Sequence, residues 1–154
     1  MIEICPARFP ADLSIARRLF REYADSLDID LCFQDFDTEL ANLPGKYAEP
    51  HGQLLLAWDG DRAVGCVALR RIDRDTCEMK RLYIQPQARA QQLGRRLAEK
   101  ICQQARDAGY QRICLDTLAT MRPALRLYGV LGFQAIEPYV FNPIDGAIFL
   151  GLDL

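Results

Sequence analysis

Apolar residues at Leu13, Ala16, Leu19, Phe20, Tyr23 and Leu27 recur with the 3.6-residue helical period, which predicts a helix packed on one face. A short strand over about residues 2–5 leads into it through Pro10. A weaker helical stretch over about residues 35–43 ends at the breakers Pro44 and Gly45. The period then changes. Residues 53–58 and 63–69 form nearly continuous apolar runs around Asp59-Gly60-Asp61, the pattern of a β-hairpin, and a third strand over residues 76–84 extends it into an antiparallel meander. Leu93, Leu97, Ile101 and Ala105, four residues apart, mark a long helix over residues 92–108 that Gly109 stops. Residues 112–117 read as a buried strand; following a crossover helix, it is expected to run parallel to the strand ending at Ile84. A last helix over residues 123–131 stops at Gly132, and strands near residues 133–139 and 147–153 complete a mixed α/β order.

At 154 residues, half of them apolar, the chain is expected to form a single domain over residues 1–154. No apolar run approaches the roughly 18 residues of a membrane span. The start, Met1-Ile2-Glu3-Ile4-Cys5, lacks the basic and apolar regions of a signal peptide, so a cytoplasmic location is expected, with no membrane partner. The six cysteines (Cys5, Cys32, Cys66, Cys77, Cys102, Cys114) include no C-x-x-C pair, and His51 is the only histidine. Reduced, mostly buried thiols are expected, with no metal site. A net charge of −2 argues against a nucleic-acid partner. The charge is unevenly spread, however. Residues 22–61 carry ten acidic side chains against Lys46 alone, whereas residues 80–112 carry eight basic ones against Glu99 and Asp107. Two solvated faces account for this, as does an anionic cofactor held by the second half and a cationic substrate met by the first.

The junction at residues 84–97 favours an anion. There a buried strand gives way to an amphipathic helix, whose first N–H groups have no intrahelical partner and whose dipole is positive at that end. Arg89 and the Arg95-Arg96 pair add full charges, so a phosphate or pyrophosphate is expected. No G-x-x-x-x-G-K-[ST] or G-x-G-x-x-G motif occurs, and a meander ahead of the crossover does not suit a doubly wound nucleotide-binding sheet.

Arg89-Ala90-Gln91-Gln92-Leu93-Gly94 resembles the Q/R-x-x-G-x-G/A phosphate loop of the GNAT (Gcn5-related) N-acetyltransferases. Arg89 and Gly94 match, whereas Gln92 stands in place of the first glycine. Residues 79–86 resemble the family's fourth strand, and residues 124–133 its A-x-x-L-Y-x-x-x-G-F helix-to-strand segment. The resemblance is specific over residues 76–133. It implies a mostly antiparallel sheet flanked by helices, with a parallel pair formed by the fourth and fifth strands. It also implies transfer of an acetyl group from acetyl-CoA to a primary amine of a small molecule or peptide, by direct attack in a ternary complex. Under it, the main chain of Leu82, Tyr83 and Ile84 binds the pantetheine arm, and Arg89, Ala90, Gln91, Gln92, Leu93, Gly94 and Arg95 surround the pyrophosphate. A helix start does not require positive φ, so Gln92 is expected to present its N–H from ordinary helical backbone.

By the same resemblance Tyr128 protonates the departing thiolate. Glu78 is the first candidate for the base that deprotonates the amine; the alternative is that it only pairs with Lys80 on the same strand face. Asp116, at the end of the fifth strand, is the second candidate base. Acceptor choice falls to residues 31–36 and 139–143, with an acceptor carboxylate in play if Arg122 faces the pocket. A homodimer through the late strands is one arrangement such folds adopt. The competing reading keeps the fold without chemistry, as a non-catalytic acyl-CoA-binding regulatory or interaction module; Gln92 favours it, and Tyr128 with the acidic candidates opposes it.

Overall fold

The computed structural model describes residues 1–27, 29–31 and 35–154. Asp28, Cys32 and residues 33–34, which belong to the acidic stretch, the cysteine set and the acceptor segment, lie outside the described residues. One sheet contains β1 (Ile2–Pro6), β2 (Gln53–Asp59), β3 (Arg62–Arg71), β4 (Thr76–Ile84), β5 (Arg112–Leu118), β6 (Gln134–Ala135) and β7 (Ala147–Asp153), in the order β1-β2-β3-β4-β5-β7-β6. Every neighbouring pair is antiparallel except β4 and β5. The helices are α1 (Leu13–Leu27), α2 (Phe36–Ala41), α3 (Leu93–Asp107) and α4 (Arg122–Leu131). Among the described residues, no helix is long and apolar enough to cross a membrane.

Each face of the sheet has its own core. Leu55 and Ala57 of β2 join Leu97, Ile101 and Ala105 of α3, while Leu54 and Leu56 join Leu19 and Phe20 of α1 and Leu40 of α2. Successive strand residues point to opposite faces, so a strand covered on both sides reads as an uninterrupted apolar run. Helix α4 ends at Gly132 with φ 98°, and the Phe133 N–H reaches back to the Tyr128 carbonyl at 3.0 Å. That left-handed stop suits glycine and fixes Tyr128 against the Phe133 ring.

The segment expected as a strand over residues 133–139 contains only Gln134–Ala135 as strand. Pro138 has no N–H to give a ladder, and the polar side chains that follow bond to the sheet face.

Two departures from regular geometry prepare a site. First, β4 and β5 pair only from Thr76 to Glu78 against Arg112 to Cys114, and beyond that point the β5-facing edge of β4 has no strand partner among the described residues. Second, Cys66 faces Tyr83 but Ala68 faces Lys80, so Val67 alone opposes Arg81 and Leu82. This is a β-bulge, with Arg81 left-handed at φ 61°. Such backbone costs a non-glycine residue about 1–2 kcal/mol. Glu39 offsets it by accepting Arg81 Nε at 2.9 Å and Nη2 at 2.8 Å, and the guanidinium carbon lies 5.7 Å and 5.1 Å from the Tyr23 and Phe36 ring centres.

Candidate active site

At the start of α3, the Arg96 N–H makes the first helical bond, to the Gln92 carbonyl at 3.0 Å. The backbone N–H groups of residues 90–95 donate to no acceptor among the described residues. Gln91 and Gln92 hold them there in left-handed conformation, φ 63° and 53°. This corrects the expectation of ordinary helical backbone at Gln92: the turn that gathers these donors needs positive φ, which is the physical reason for glycine at such a position. The donors adjoin a groove of about 370 Å³ lined by Leu82, Tyr83, Ile84, Arg89, Gly94 and Leu127, among others. A Cβ on Gly94 would sit 3.3 Å from Ile84 Cδ1, so the missing side chain keeps this wall flat.

The three arginines separate. Arg89 stays at the groove, its Nε donating to the Ile84 carbonyl at 3.0 Å. Arg95 pairs with Glu99 at 3.0 Å, and Arg96 donates to the Ile2 carbonyl at 2.9 Å.

Past Glu78, the gap between β4 and β5 opens into a cavity of about 80 Å³ that shares Tyr23, Leu82, Met121 and Ala124 with the groove. Tyr128 lines it, is 7% exposed, and has no hydrogen-bond partner among the described residues. Burial, with Tyr23 and Asp116 nearby, holds its phenol proton well above the ordinary tyrosine range. Asp116 also lines the cavity; its Oδ2 accepts from Asn142 Nδ2 at 3.0 Å, while its Oδ1 accepts from no described residue. Asn142 is fixed in turn by the Ile144 N–H at 3.0 Å. Lys80 lines the same cavity. Burial lowers its pKa, opposed by the Glu78 and Asp116 charges and reinforced by Arg81.

Glu78 lies apart from the cavity lining and is fully buried. Arg70 Nε donates to its Oε1 at 2.6 Å and the Tyr139 hydroxyl to its Oε2 at 2.6 Å. Its ion-pair partner is therefore Arg70, directly opposite on β3, rather than Lys80. Tyr139 stacks edge-on against Phe149, 5.6 Å between ring centres. The segment between β6 and β7 thus reaches both candidate carboxylates, through Tyr139 and Asn142. Arg122 is exposed and does not line the cavity; Leu31 does.

Arg70, Arg81 and the Asn142-to-Asp116 bond were not singled out from the sequence. Only Arg81 left a local sign: polar positions at Glu78 and Lys80 keep the strand period, and Arg81 beside Lys80 breaks it.

Residues 15–133 match the acetyltransferase (GNAT) family. An uncharacterized N-acetyltransferase of Schizosaccharomyces pombe is 42% identical over 155 residues, covering 99% of this chain and 95% of the relative. An acetyltransferase structure from Streptococcus agalactiae superposes with TM-score 0.79 at 26% identity, covering 99% of this chain and 98% of that one. A GNAT family acetyltransferase from Elizabethkingia anophelis, solved with acetyl-CoA bound, shares the fold at TM-score 0.62 and 22% identity, over 99% and 98% of the two chains. With a parallel pair that parts after three residues and these similarities along nearly its whole length, the chain belongs to the GNAT acetyltransferase family.

Proposed function

We propose that this protein transfers an acetyl group from acetyl-CoA to the primary amine of a small molecule or peptide, by direct attack within a ternary complex. The observation that carries the reading is a groove beside the N–H groups of residues 90–95 that shares Leu82, Met121 and Ala124 with the cavity lined by Tyr128; neither those N–H groups nor the Tyr128 hydroxyl has a hydrogen-bond partner among the described residues. The donors suit a pyrophosphate, the free edge of β4 suits the amides of the pantetheine arm, and Tyr128 suits a thiolate that appears late in the reaction. Gln92→Gly should raise unfolding free energy by up to about 1 kcal/mol, since glycine adopts the left-handed turn without strain, and should tighten or preserve coenzyme A binding in calorimetry. A clear loss of binding would assign the phosphate to the glutamine side chain.

The amine must also lose a proton. An alkylammonium with a pKa of about 10.4 is neutral only roughly one part in a thousand at pH 7, a deficit of about 4–5 kcal/mol. We assign proton acceptance to Asp116. Asp116 lines the cavity and its Oδ1 accepts from no described residue, whereas Glu78 has both oxygens engaged and no exposed surface. Glu78 then sets the position of Tyr139 and the charge balance beneath Lys80. Asp116→Asn should lower kcat/KM at pH 7 by about tenfold or more, within the range of general base catalysis, with the deficit narrowing above pH 9 as free amine accumulates. Undiminished activity at pH 7 would remove the assignment. The test of the whole reading is thiol release from acetyl-CoA across an amine panel. Coenzyme A binding without turnover of any amine would favour a non-catalytic acyl-CoA-binding module.

A further inference from the structure

We propose that Met121 restricts the donor to a short acyl group, admitting acetyl and excluding butyryl. The inference rests on the acetyl-transfer reading and assigns the residue that makes acetyl the donor's group. The groove of about 370 Å³ and the cavity of about 80 Å³ share Tyr23, Leu82, Met121 and Ala124, so these four residues stand where one space passes into the other. Tyr128 lines the cavity and not the groove, whereas Leu127 beside it lines the groove and not the cavity. A thioester sulfur within reach of the Tyr128 hydroxyl therefore has its pantetheine arm on one side of the junction and its acyl group on the other. The acyl group falls in the smaller space, which must also admit the acceptor's amine toward Asp116.

Three of the shared residues leave little to adjust. Tyr23 packs edge-on against Tyr83, 6.4 Å between ring centres, and faces the Arg81 guanidinium carbon at 5.7 Å. Leu82 belongs to the bulge, and Ala124 ends at its Cβ. Met121 is the long one, with a side chain that ordinarily shifts to suit its neighbours. Here it is held. It stands at the N-cap of α4, its N–H donating to the Leu118 carbonyl at 3.0 Å and its carbonyl accepting from the Leu125 N–H at 3.0 Å. The Thr117 hydroxyl, from the cavity wall, donates to its Sδ at 3.7 Å. A thioether fixed in this way bounds the acyl group instead of yielding to it. Replacement by alanine removes the γ-methylene, the sulfur and the methyl, a length comparable with the ethylene unit by which butyryl exceeds acetyl. In a packed site, each methylene that finds no room costs about tenfold or more.

Calorimetry with CoA, acetyl-CoA, propionyl-CoA and butyryl-CoA tests this, each affinity being taken relative to free CoA in the same protein. In the original protein, butyryl-CoA should bind about tenfold or more weakly than acetyl-CoA, with propionyl-CoA between them. Met121→Ala should bring acetyl-CoA and butyryl-CoA within about threefold of each other. Ala124→Leu, one turn further along α4, should fill the junction and weaken acetyl-CoA by about tenfold or more relative to free CoA. These are ratios within one protein, so a partly misfolded sample does not alter them. Equal affinities for acetyl-CoA and butyryl-CoA in the original protein would overturn the inference, and so would discrimination undiminished by Met121→Ala. If that variant does not fold, Ala124→Leu decides, and an unchanged ratio of acetyl-CoA to free CoA overturns the inference. Turnover does not enter these measurements. A protein that binds the donors with this length preference but acetylates no amine would overturn the transfer reading and uphold the inference. Thiol release from butyryl-CoA as fast as from acetyl-CoA would overturn the inference and leave the transfer reading standing.

Discussion

Replacing Tyr128 by phenylalanine is expected to lower kcat by about ten- to a hundredfold, equivalent to roughly 1.4–2.7 kcal/mol in the barrier, with coenzyme A affinity changed less than twofold. The thiolate gains its charge only as the carbon–sulfur bond breaks, so a donor aimed at the sulfur acts on the transition state rather than on bound cofactor. Phenylalanine keeps the ring packed on Phe133, 5.5 Å between centres, and removes only a hydroxyl without a hydrogen-bond partner among the described residues. Stability should therefore hold within about 0.5 kcal/mol, because the substitution breaks no hydrogen bond among the described residues. Burial keeps the phenol protonated beyond the ordinary tyrosine pKa, so any fall in wild-type turnover between pH 8 and 10 belongs to another group. Single-turnover kinetics are the measurement to make, since slow product release can mask a chemical step in kcat. An unchanged rate of thiol release in that assay would remove Tyr128 from the chemistry.

What could be read in the chain follows from how far each interaction reaches. The stripe of α3 lies at successive helical turns, and the crossover from β4 through α3 to β5 follows from handedness and order, so both were legible. Tyr128 and the start of α3 were legible as motif positions. The surroundings of Glu78 were not. Its two partners come from a neighbouring strand and from a segment sixty-one residues away, and no local pattern announces either bond. The left-handed glutamines were missed for the opposite reason. Propensity reads glutamine as helical, and only tertiary context forces Gln91 and Gln92 into a turn that glycine adopts freely. The bulge lies between these cases. Its trace is two adjacent charged residues in a strand, but their meaning depends on Glu39, forty-two residues earlier.

That dependence makes Glu39→Ala the substitution with the largest expected effect on stability, about 3–5 kcal/mol. The Arg81 side chain is 2% exposed and Glu39 13% exposed, so removing the carboxylate leaves a guanidinium almost without water and stripped of its bidentate partner. Tyr23 and Phe36 face its flat surface but cannot replace an anion. Arginine does not deprotonate to escape the cost. Glu39→Gln should lose less, because the amide oxygen still accepts one of the two hydrogen bonds. Denaturant unfolding can be followed through Trp58, the chain's single tryptophan. For a chain of this size the loss corresponds to a melting point lower by about 10–15 °C. A double variant, Glu39→Leu with Arg81→Met, should recover much of the stability, since apolar replacement removes the buried charge together with its counter-ion. Activity should not recover with it. Arg81 is the residue at the bulge, where the cavity wall and the free edge of β4 meet, and a relaxed bulge would shift Lys80 and Leu82 together. A Glu39→Ala loss below about 1 kcal/mol would mean that the bulge is held by β-sheet pairing alone and that the ion pair is incidental to it.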